Sequence, residues 1–401
     1  MSGRPRIAML TDNYPALGGV GGIGSYTQTV AEQLARMGVD IHVFSMASGT
    51  RVAYDVVNGV SLWRCPGWSR RRQMPARAAW AFTRRVGAQA VMLDRFSFAQ
   101  AVRRACRRGG SFDVLESPEF GALGALCTGW SSTVSAVRLH GPATKVLPPE
   151  RHPWSVETSP ERALATAADV LSVGSHYAKQ SIAEHWGTSL DQAAVVQNPI
   201  PARLPPTPGS VQPDHVVCVG RLDRLKGYDV LLRAVSRLRR PVHLTFVGND
   251  TAHLGGRAMV SDDIRSMAGT LGIADRVTVL PPVHGDALVR LVQSQALCVL
   301  PSLMETAPVA VMEAMAWGVP VVTSDIPPFV EVNEGGNLFG MARASDPDSL
   351  AAEMETALTD RDHALRRAER ARRHAQRWAP ERVVSRLLSL WLRHDQAADP
   401  A

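Results

Sequence analysis

Pro301-Ser-Leu-Met-Glu305-Thr306-Ala307-Pro308-Val-Ala-Val-Met-Glu313-Ala-Met-Ala-Trp317-Gly-Val-Pro320 decides how this chain is read. The apolar run 297–301 reads as a buried strand. The spacing behind it predicts a helix over 309–317. Thr306 is the expected N-cap, and Pro308 falls in the first turn, where a missing N–H matters least. A second apolar run follows at 320–323. Strand, loop, helix and strand make the unit of a parallel sheet covered by helices. In such sheets ligands meet the carboxyl ends of the strands. A helix that starts there offers open N–H groups and a positive dipole end, which suit a phosphate. Glu305 stands at the mouth of the predicted helix and Glu313 two turns inside it. Carboxylates accept hydrogen bonds from hydroxyls, so the pair could hold sugar rings on either side of a diphosphate. The plainer reading is a capping Glu305 and a solvated Glu313. Glu313, however, falls among Val309, Val311, Met312, Met315 and Trp317, which predicts partial burial and a need for partners.

The same alternation surrounds this stretch. Strands are expected at 215–219, 244–248 and 277–280, with helices at 229–238, 262–271, 287–295 and 348–358. The loop after the first of these strands reads Gly220-Arg221-Leu-Asp-Arg-Leu-Lys226-Gly227. Arg offers phosphate oxygens a planar fork and Lys offers a point charge, so the two could converge on a diphosphate. Lys226 is one of only three Lys, with Lys145 and Lys179, in a chain otherwise served by Arg. Read alone, this segment is equally an ordinary surface loop.

Five prolines within 199–208 cannot sit inside a sheet or helix. They predict a linker over 199–212 between one domain, 1–198, and another, 213–377. The first domain repeats the pattern. Strands are expected at 7–11, 41–45, 114–116, 134–139, 170–173 and 195–197, with helices at 27–37, 76–88 and 97–107. The tail reads as an amphipathic helix over 380–392. The expected fold class is therefore α/β: two Rossmann-like, doubly wound parallel-sheet domains facing each other across a cleft.

Two further signals lie in the first domain. Gly18-Gly19-Val-Gly21-Gly22-Ile-Gly24 contains Gly-x-Gly-x-x-Gly, a weak motif on its own. It begins several residues after its strand, and the next strand, 41–45, lacks the terminal acid that would hold a ribose. A loop that lets backbone approach donor or acceptor fits better than a nicotinamide site. An NAD-dependent oxidoreductase remains the rival enzyme reading. In Val137-Arg-Leu-His140-Gly-Pro, a strand ends in a histidine able to bond a sugar hydroxyl, although a lone His is more often structural.

Composition excludes several classes. The net charge of +7 lies wholly in residues 1–200, which carry 21 basic and 14 acidic groups; residues 201–401 carry 23 of each. Eleven Arg between Arg70 and Arg108 face only Asp94. This segment, 70–108, could touch a membrane surface or an anionic acceptor, or be a plain solvated face. No basic–aromatic interleaving points to nucleic acid. Asp346-Pro-Asp348 and Asp360-Arg-Asp362 follow no buried strand and read as helix-start residues, and His and Cys never cluster, so no metal is expected. Five scattered Cys predict reduced thiols and a cytoplasmic protein. Neither a signal peptide nor an 18-residue apolar run is evident.

Taken together, these motifs resemble glycosyltransferase family 4 over essentially the whole chain. The likeness runs through the Gly loop, His140, Asn198, Gly220-Arg-Leu-x-x-x-Lys-Gly227, Val247-Gly248 and the Glu305-x7-Glu313 pair with its Glu-Ala-Met-Ala-x-Gly-x-Pro continuation. The resemblance implies a GT-B fold whose second domain binds a nucleotide-diphosphate sugar, a UDP-sugar above all, and whose first binds a hydroxyl acceptor. It implies a helix over 378–401, opened by Gln376-Arg-Trp378, that crosses back to the first domain. It assigns Gly220, Arg221 and Lys226 to the diphosphate, Glu313 to the ribose and Glu305 to the donor sugar. His140 would lie near the reacting carbon and Val283 near the base, with Gly21, Gly22, Thr306, Ala307 and Pro308 lining the donor. Neither metal nor cofactor is required, and the anomeric configuration is retained. One departure stands out: Thr306-Ala307-Pro308 replaces the family's Gly-Phe-Gly. A pyridoxal-phosphate phosphorylase would need another Lys in the second half. A degenerate partner subunit that binds a nucleotide sugar without turnover is the non-enzymatic alternative.

Overall fold

The computed structural model describes residues 4–15, 21–47, 51–66, 76–129, 132–146, 155–156, 159–200, 211–251 and 259–396. The chain forms two compact units, Met1–Pro199 with Pro380–Ala401, and Ile200–Ala379.

The first unit is built on eight strands: β1 (Arg6–Thr11), β2 (Asp40–Ala47), β3 (Ala53–Val57), β4 (Val60–Pro66), β5 (Val114–Pro118), β6 (Val134–Leu139), β7 (Val170–Val173) and β8 (Ala194–Val195). Their order is β3-β4-β2-β1-β5-β6-β7-β8, and every pairing is parallel except β3 with β4. The central strands are buried along almost their whole length, as strands with both faces covered must be. Helices α1 (Gly22–Arg36), α2 (Ala76–Gly109), α3 (Ala143–Val146), α4 (Pro160–Thr166) and α5 (His176–Trp186) connect them.

Three features differ from the sequence reading. The hairpin of β3 and β4 was not expected, although its Asn58-Gly59 turn, with φ of +51° and +80°, is a strong hairpin signal. Helix α1 begins at Gly22 rather than at 27, so Gly22 and Gly24 belong to its first turn. Gly24 is needed there because a Cβ would lie 2.3 Å from Asn13 Oδ1. The two helices expected at 76–88 and 97–107 are one, α2. The chain between them holds no proline, and a single interior Gly costs only about 1 kcal/mol.

The second unit has six strands: β9 (Gln212–Val219), β10 (His243–Val247), β11 (Val277–Leu280), β12 (Gln295–Leu300), β13 (Val321–Ser324) and β14 (Gly340–Ala342). All are parallel, in the order β11-β10-β9-β12-β13-β14. This is the 3-2-1-4-5-6 order of a dinucleotide-type sheet. Its helices are α6 (Tyr228–Arg237), α7 (Val260–Thr270), α8 (Gly285–Gln293), α9 (Val309–Ala316), α10 (Pro327–Val332), α11 (Pro347–Thr359) and α12 (Arg361–Ala375). Helix α12 was not expected from the sequence: its buried face is only Ala364, Ala368, Ala371 and Ala375, set among arginines. Asp346 and Asp360 cap α11 and α12 through their side chains.

Ile200 N–H donates to Trp378 O at 2.9 Å, and both belong to the second unit. Trp378 packs in that unit's core, so the final helix starts at 380, where the periodicity puts it, and not at 378, where the resemblance put it. This helix, α13 (Pro380–Gln396), buries Val383, Val384, Leu387 and Trp391 in the first unit's core, beside Val30, Leu34 and Val170. Among the described residues no helix is long and apolar enough to cross a membrane.

Trp391 is fully buried, so Trp391→Ala should lower the unfolding free energy by about 3–5 kcal/mol. A urea titration followed by circular dichroism measures this; a loss below about 1 kcal/mol would mean that the tail helix is not part of the core.

Candidate functional site

In the second sheet β9 is flanked by β10 and β12, and the chain winds in opposite directions on its two sides. Loops after β9 and β12 therefore meet at the switch point, where open α/β sheets hold ligands. The loop after β9 carries Arg221 and Lys226, and the loop after β12 carries Glu305.

Backbone close approach shapes this edge. Gly220 has φ +150°, and its carbonyl oxygen would lie 1.7 Å from a Cβ at Gly248. Gly227 has φ +69°, and a Cβ there would lie 2.1 Å from Pro301 O. Only glycine fits either contact. Asp223 caps the 3-10 turn Arg224–Lys226 by accepting Leu225 N–H at 3.0 Å. The other Asp223 oxygen holds Arg221 Nη2 at 3.0 Å. Leu303 N–H donates to Leu225 O at 2.8 Å and stitches the two loops together.

On this frame Lys226 Nζ donates to Glu305 Oε1 at 2.5 Å. Ser302 Oγ donates to the same oxygen at 2.8 Å, and Ser324 Oγ donates to Ser302 O at 2.5 Å. Lys226 and Glu305 keep 26% and 15% of their side chains exposed, while Arg221 is more open. Glu313 is half-buried one turn into α9. Thr306 does not cap that helix. The cap is Pro308, at φ −82° and ψ 51°, and Val309 N–H turns back onto Ala307 O at 2.9 Å. This is an inverse γ-turn, which proline's fixed φ favours. Val283 follows β11 and packs against the core on one side. The structure thus joins Lys226 to Glu305, places Arg221 on the same loop as Lys226, and sets Val283 on a separate loop.

The remaining predicted residues belong to the first unit. Gly21 and Gly22 are exposed at the start of α1; Gly18 and Gly19 lie outside the described residues. His140 follows β6, partly exposed, with its ring edge-on to Tyr26 at 5.1 Å. Around it stand residues that sequence reading missed. Tyr26 Oη donates to Glu116 Oε1 at 3.2 Å. The Arg138 guanidinium lies over the Tyr26 ring at 4.9 Å and donates to Val196 O at 2.6 Å and Asn198 Oδ1 at 2.8 Å. Glu119 accepts the backbone N–H of His140. Their signal was an acid at or just past the end of an apolar strand, in Val114-Leu-Glu116-Ser-Pro-Glu119. Burial pushes Glu116 up to about 7 and Glu119 up to about 8, against the pull of Arg138 on the first and of backbone amides on the second. Burial, joined by the Arg138 charge, pushes the His140 imidazole down to about 3, so it is neutral at pH 7. Of the Arg-rich segment, 67–75 lies outside the described residues; Arg103, Arg104, Arg107 and Arg108 are exposed on α2. Among the described residues no three His, Cys, Asp or Glu side chains gather as a metal site.

A pair of parallel-sheet α/β units with a basic, carboxylate-bearing switch point defines the class as a GT-B glycosyltransferase. The family model described as Glycosyltransferase Family 4 matches residues 20–204, and that described as Glycosyl transferases group 1 matches residues 213–360. The chain belongs to glycosyltransferase family 4. A D-inositol 3-phosphate glycosyltransferase of Mycolicibacterium gilvum is 35% identical over 136 residues, 34% of this chain and 30% of that protein. Its namesake in Geodermatophilus obscurus is 27% identical over 94% of this chain and 86% of its own length. Sucrose-phosphate synthase of Thermosynechococcus elongatus superposes with a TM-score of 0.77 at 16% identity, over 98% of this chain and 100% of that one. HepE of Anabaena, solved with UDP and glucose, superposes at 0.71 and 17% identity, over 96% and 99%.

The raised carboxyls fix a pH dependence. An acid whose folded pKa is raised stabilises the fold below its unfolded pKa, and that contribution is lost as pH rises through the folded value. The depressed His140 acts in the opposite sense, but only below its ordinary 6.5. His42, His215 and His374, also pushed down by burial, act in the same sense as His140, so above about pH 7 Glu116 and Glu119 dominate, and Tm should fall toward pH 8. Scanning calorimetry at pH 7.2 and 8 tests this: Glu119→Gln or Glu116→Gln should flatten the slope, and a wild-type Tm that rises over this range would contradict it.

Proposed function

We propose that the chain moves a sugar from a nucleoside-diphosphate sugar, a UDP-sugar, to a hydroxyl acceptor with retention of configuration. The observation that carries this reading is the Lys226–Glu305 contact at 2.5 Å, at the switch point of the second sheet, with Arg221 on the same loop. Arg221 and Lys226 bind the diphosphate and stabilise the charge that grows on it as the glycosidic bond breaks. Two fixed cations supply that charge without a metal ion. Glu305 accepts hydroxyls of the donor sugar, and Glu313 accepts the ribose hydroxyls. Val283 meets the base, and the Thr306-Ala307-Pro308 turn lies along the phosphates and sugar.

In this reading the acceptor attacks from the face that the diphosphate leaves, and the departing phosphate takes the acceptor proton. No protein nucleophile is formed. His140, held neutral, offers a hydrogen bond to the sugar near the reacting carbon without placing a second positive charge beside an oxocarbenium-like centre. The names of the relatives make a cyclitol hydroxyl the first acceptor class to try. HepE's UDP makes uridine the first base to try.

Titration calorimetry with UDP, GDP, ADP, TDP and NAD tests the donor site. One nucleoside diphosphate should bind, and Arg221→Ala or Lys226→Ala should each weaken it by about 1.5–3 kcal/mol, the scale of a hydrogen bond to a charged group. Binding of NAD alone, or nucleotide affinity indifferent to both substitutions in folded protein, would overturn the reading.

A further inference from the structure

Two buried carboxylates of the first unit have no part in the chemistry above. Glu119 lies just past β5, before the 3-10 turn Phe120–Ala122. Its two oxygens each accept His140 N–H at 2.8 Å, and Oε1 accepts Gly141 N–H at 2.5 Å. Glu161 lies in the first turn of α4, and its Oε1 accepts Gly121 N–H at 2.7 Å and Ala143 N–H at 3.1 Å. Arg95 donates to Gly121 O from Nη2 at 3.0 Å. Both carboxylates are 0% exposed.

Four backbone amides thus converge on two carboxylates that no water reaches. Three of these amides belong to the segment 140–143, which carries His140 and whose Gly141 has φ +120°. Desolvating a carboxylate is expensive, and stability alone would be served as well by apolar packing. What carboxyl acceptors so placed provide is geometry: short, directional bonds that leave the segment few alternative conformations. Glu119 fixes the backbone of His140 itself. Glu161 ties the far end of the same segment to the turn that follows Glu119.

The geometry points to Glu119 and Glu161 as a pair of positioning residues that set the place of the His140 imidazole for sugar transfer. They touch no substrate and act through the backbone of 140–143. This rests on the proposed contact of His140 with the donor sugar. The Tyr26 ring against the imidazole fixes the side chain in the same way that the carboxylates fix the main chain. A displacement of about 1 Å at such a group can cost on the order of 100-fold in rate.

The test uses the full chain and the nucleotide sugar of whichever nucleoside diphosphate binds. Glu119→Gln and Glu161→Gln are isosteric and keep one accepting oxygen; Glu119→Asp keeps the carboxyl group on a shorter stem and is the fallback should an amide variant fail to fold. Each should lower kcat by about 10- to 100-fold, with the donor KM within about twofold, because ground-state binding belongs to the other unit. In a His140→Ala background, Glu119→Gln should cost nothing more, since residues acting through one group are not additive. A second readout needs no donor: the His140 ring proton signals, assigned by their absence in His140→Ala, should shift in Glu119→Gln. If His140→Ala turns over at the wild-type rate, the role of His140 falls and the clamp's purpose falls with it. If His140→Ala is slow but the Gln variants match wild type, or slow the His140→Ala enzyme further by the same factor, or leave the His140 ring signals unmoved, only the positioning role is overturned.

Discussion

An all-parallel sheet delivers the carboxyl end of every strand to one edge, and the rest of this molecule depends on that constraint. Where winding reverses, at β9 in the second unit and β1 in the first, the loops on either side splay apart and leave an open crevice. Residues 79 positions apart in sequence then become neighbours, as Lys226 and Glu305 are. Chemistry at such an edge is assembled from single residues on separate loops. This explains why no compact motif in the chain carries it alone.

Bringing those loops together demands that backbone approach backbone. Gly248 against Gly220 O, Gly227 against Pro301 O and Gly24 against Asn13 all sit at strand or helix ends that face the crevices. Their glycines are there for want of a Cβ, and two of them, Gly227 and Gly248, lie in or beside the Gly220–Gly227 loop, where this steric reason alone requires glycine. Pro308 does the reverse at the mouth of α9. It fixes a turn in which Val309 N–H is already bonded to Ala307 O, so fewer amides of this helix start remain open than in one capped by a side chain. The amides of Ala310 and Val311 are the ones left without acceptors inside the helix.

Much of this was legible in the sequence, for identifiable reasons. The buried strands at 134–139, 170–173 and 277–280 are continuous apolar runs, and their structural bounds coincide with the sequence reading. Lys226 stood out by the rarity of lysine, and Glu305 by its place between an apolar strand and a helix. What escaped the reading has physical causes. An alanine stripe buries α12 without looking apolar. The edge strand β3 is exposed along its length, so burial never patterned it. Asp223 and Ser302 are ordinary turn residues until the fold sets them against Arg221 and Glu305. Glu116, Glu119 and Glu161 break the rule that acids lie outside, and nothing in their spacing reveals the amides and hydroxyl that satisfy them.

The two units use charge in opposite ways, and the difference follows from burial. Lys226 and Glu305 are partly solvated, and an ion pair in that setting contributes little to stability, of the order of 1 kcal/mol or less. Under the proposed function it can therefore be exchanged for contacts with a diphosphate and a sugar at small cost. Glu119 and Glu161 are fully desolvated and bonded to main-chain amides, so removing either would leave donors unsatisfied in the interior. Such contacts do not exchange. On the proposed function, an enzyme that binds and releases a nucleotide while holding one imidazole in place is served by a replaceable pair in one unit and a fixed pair in the other. The distribution of solvent across these four carboxylate and cation sites is what separates the two.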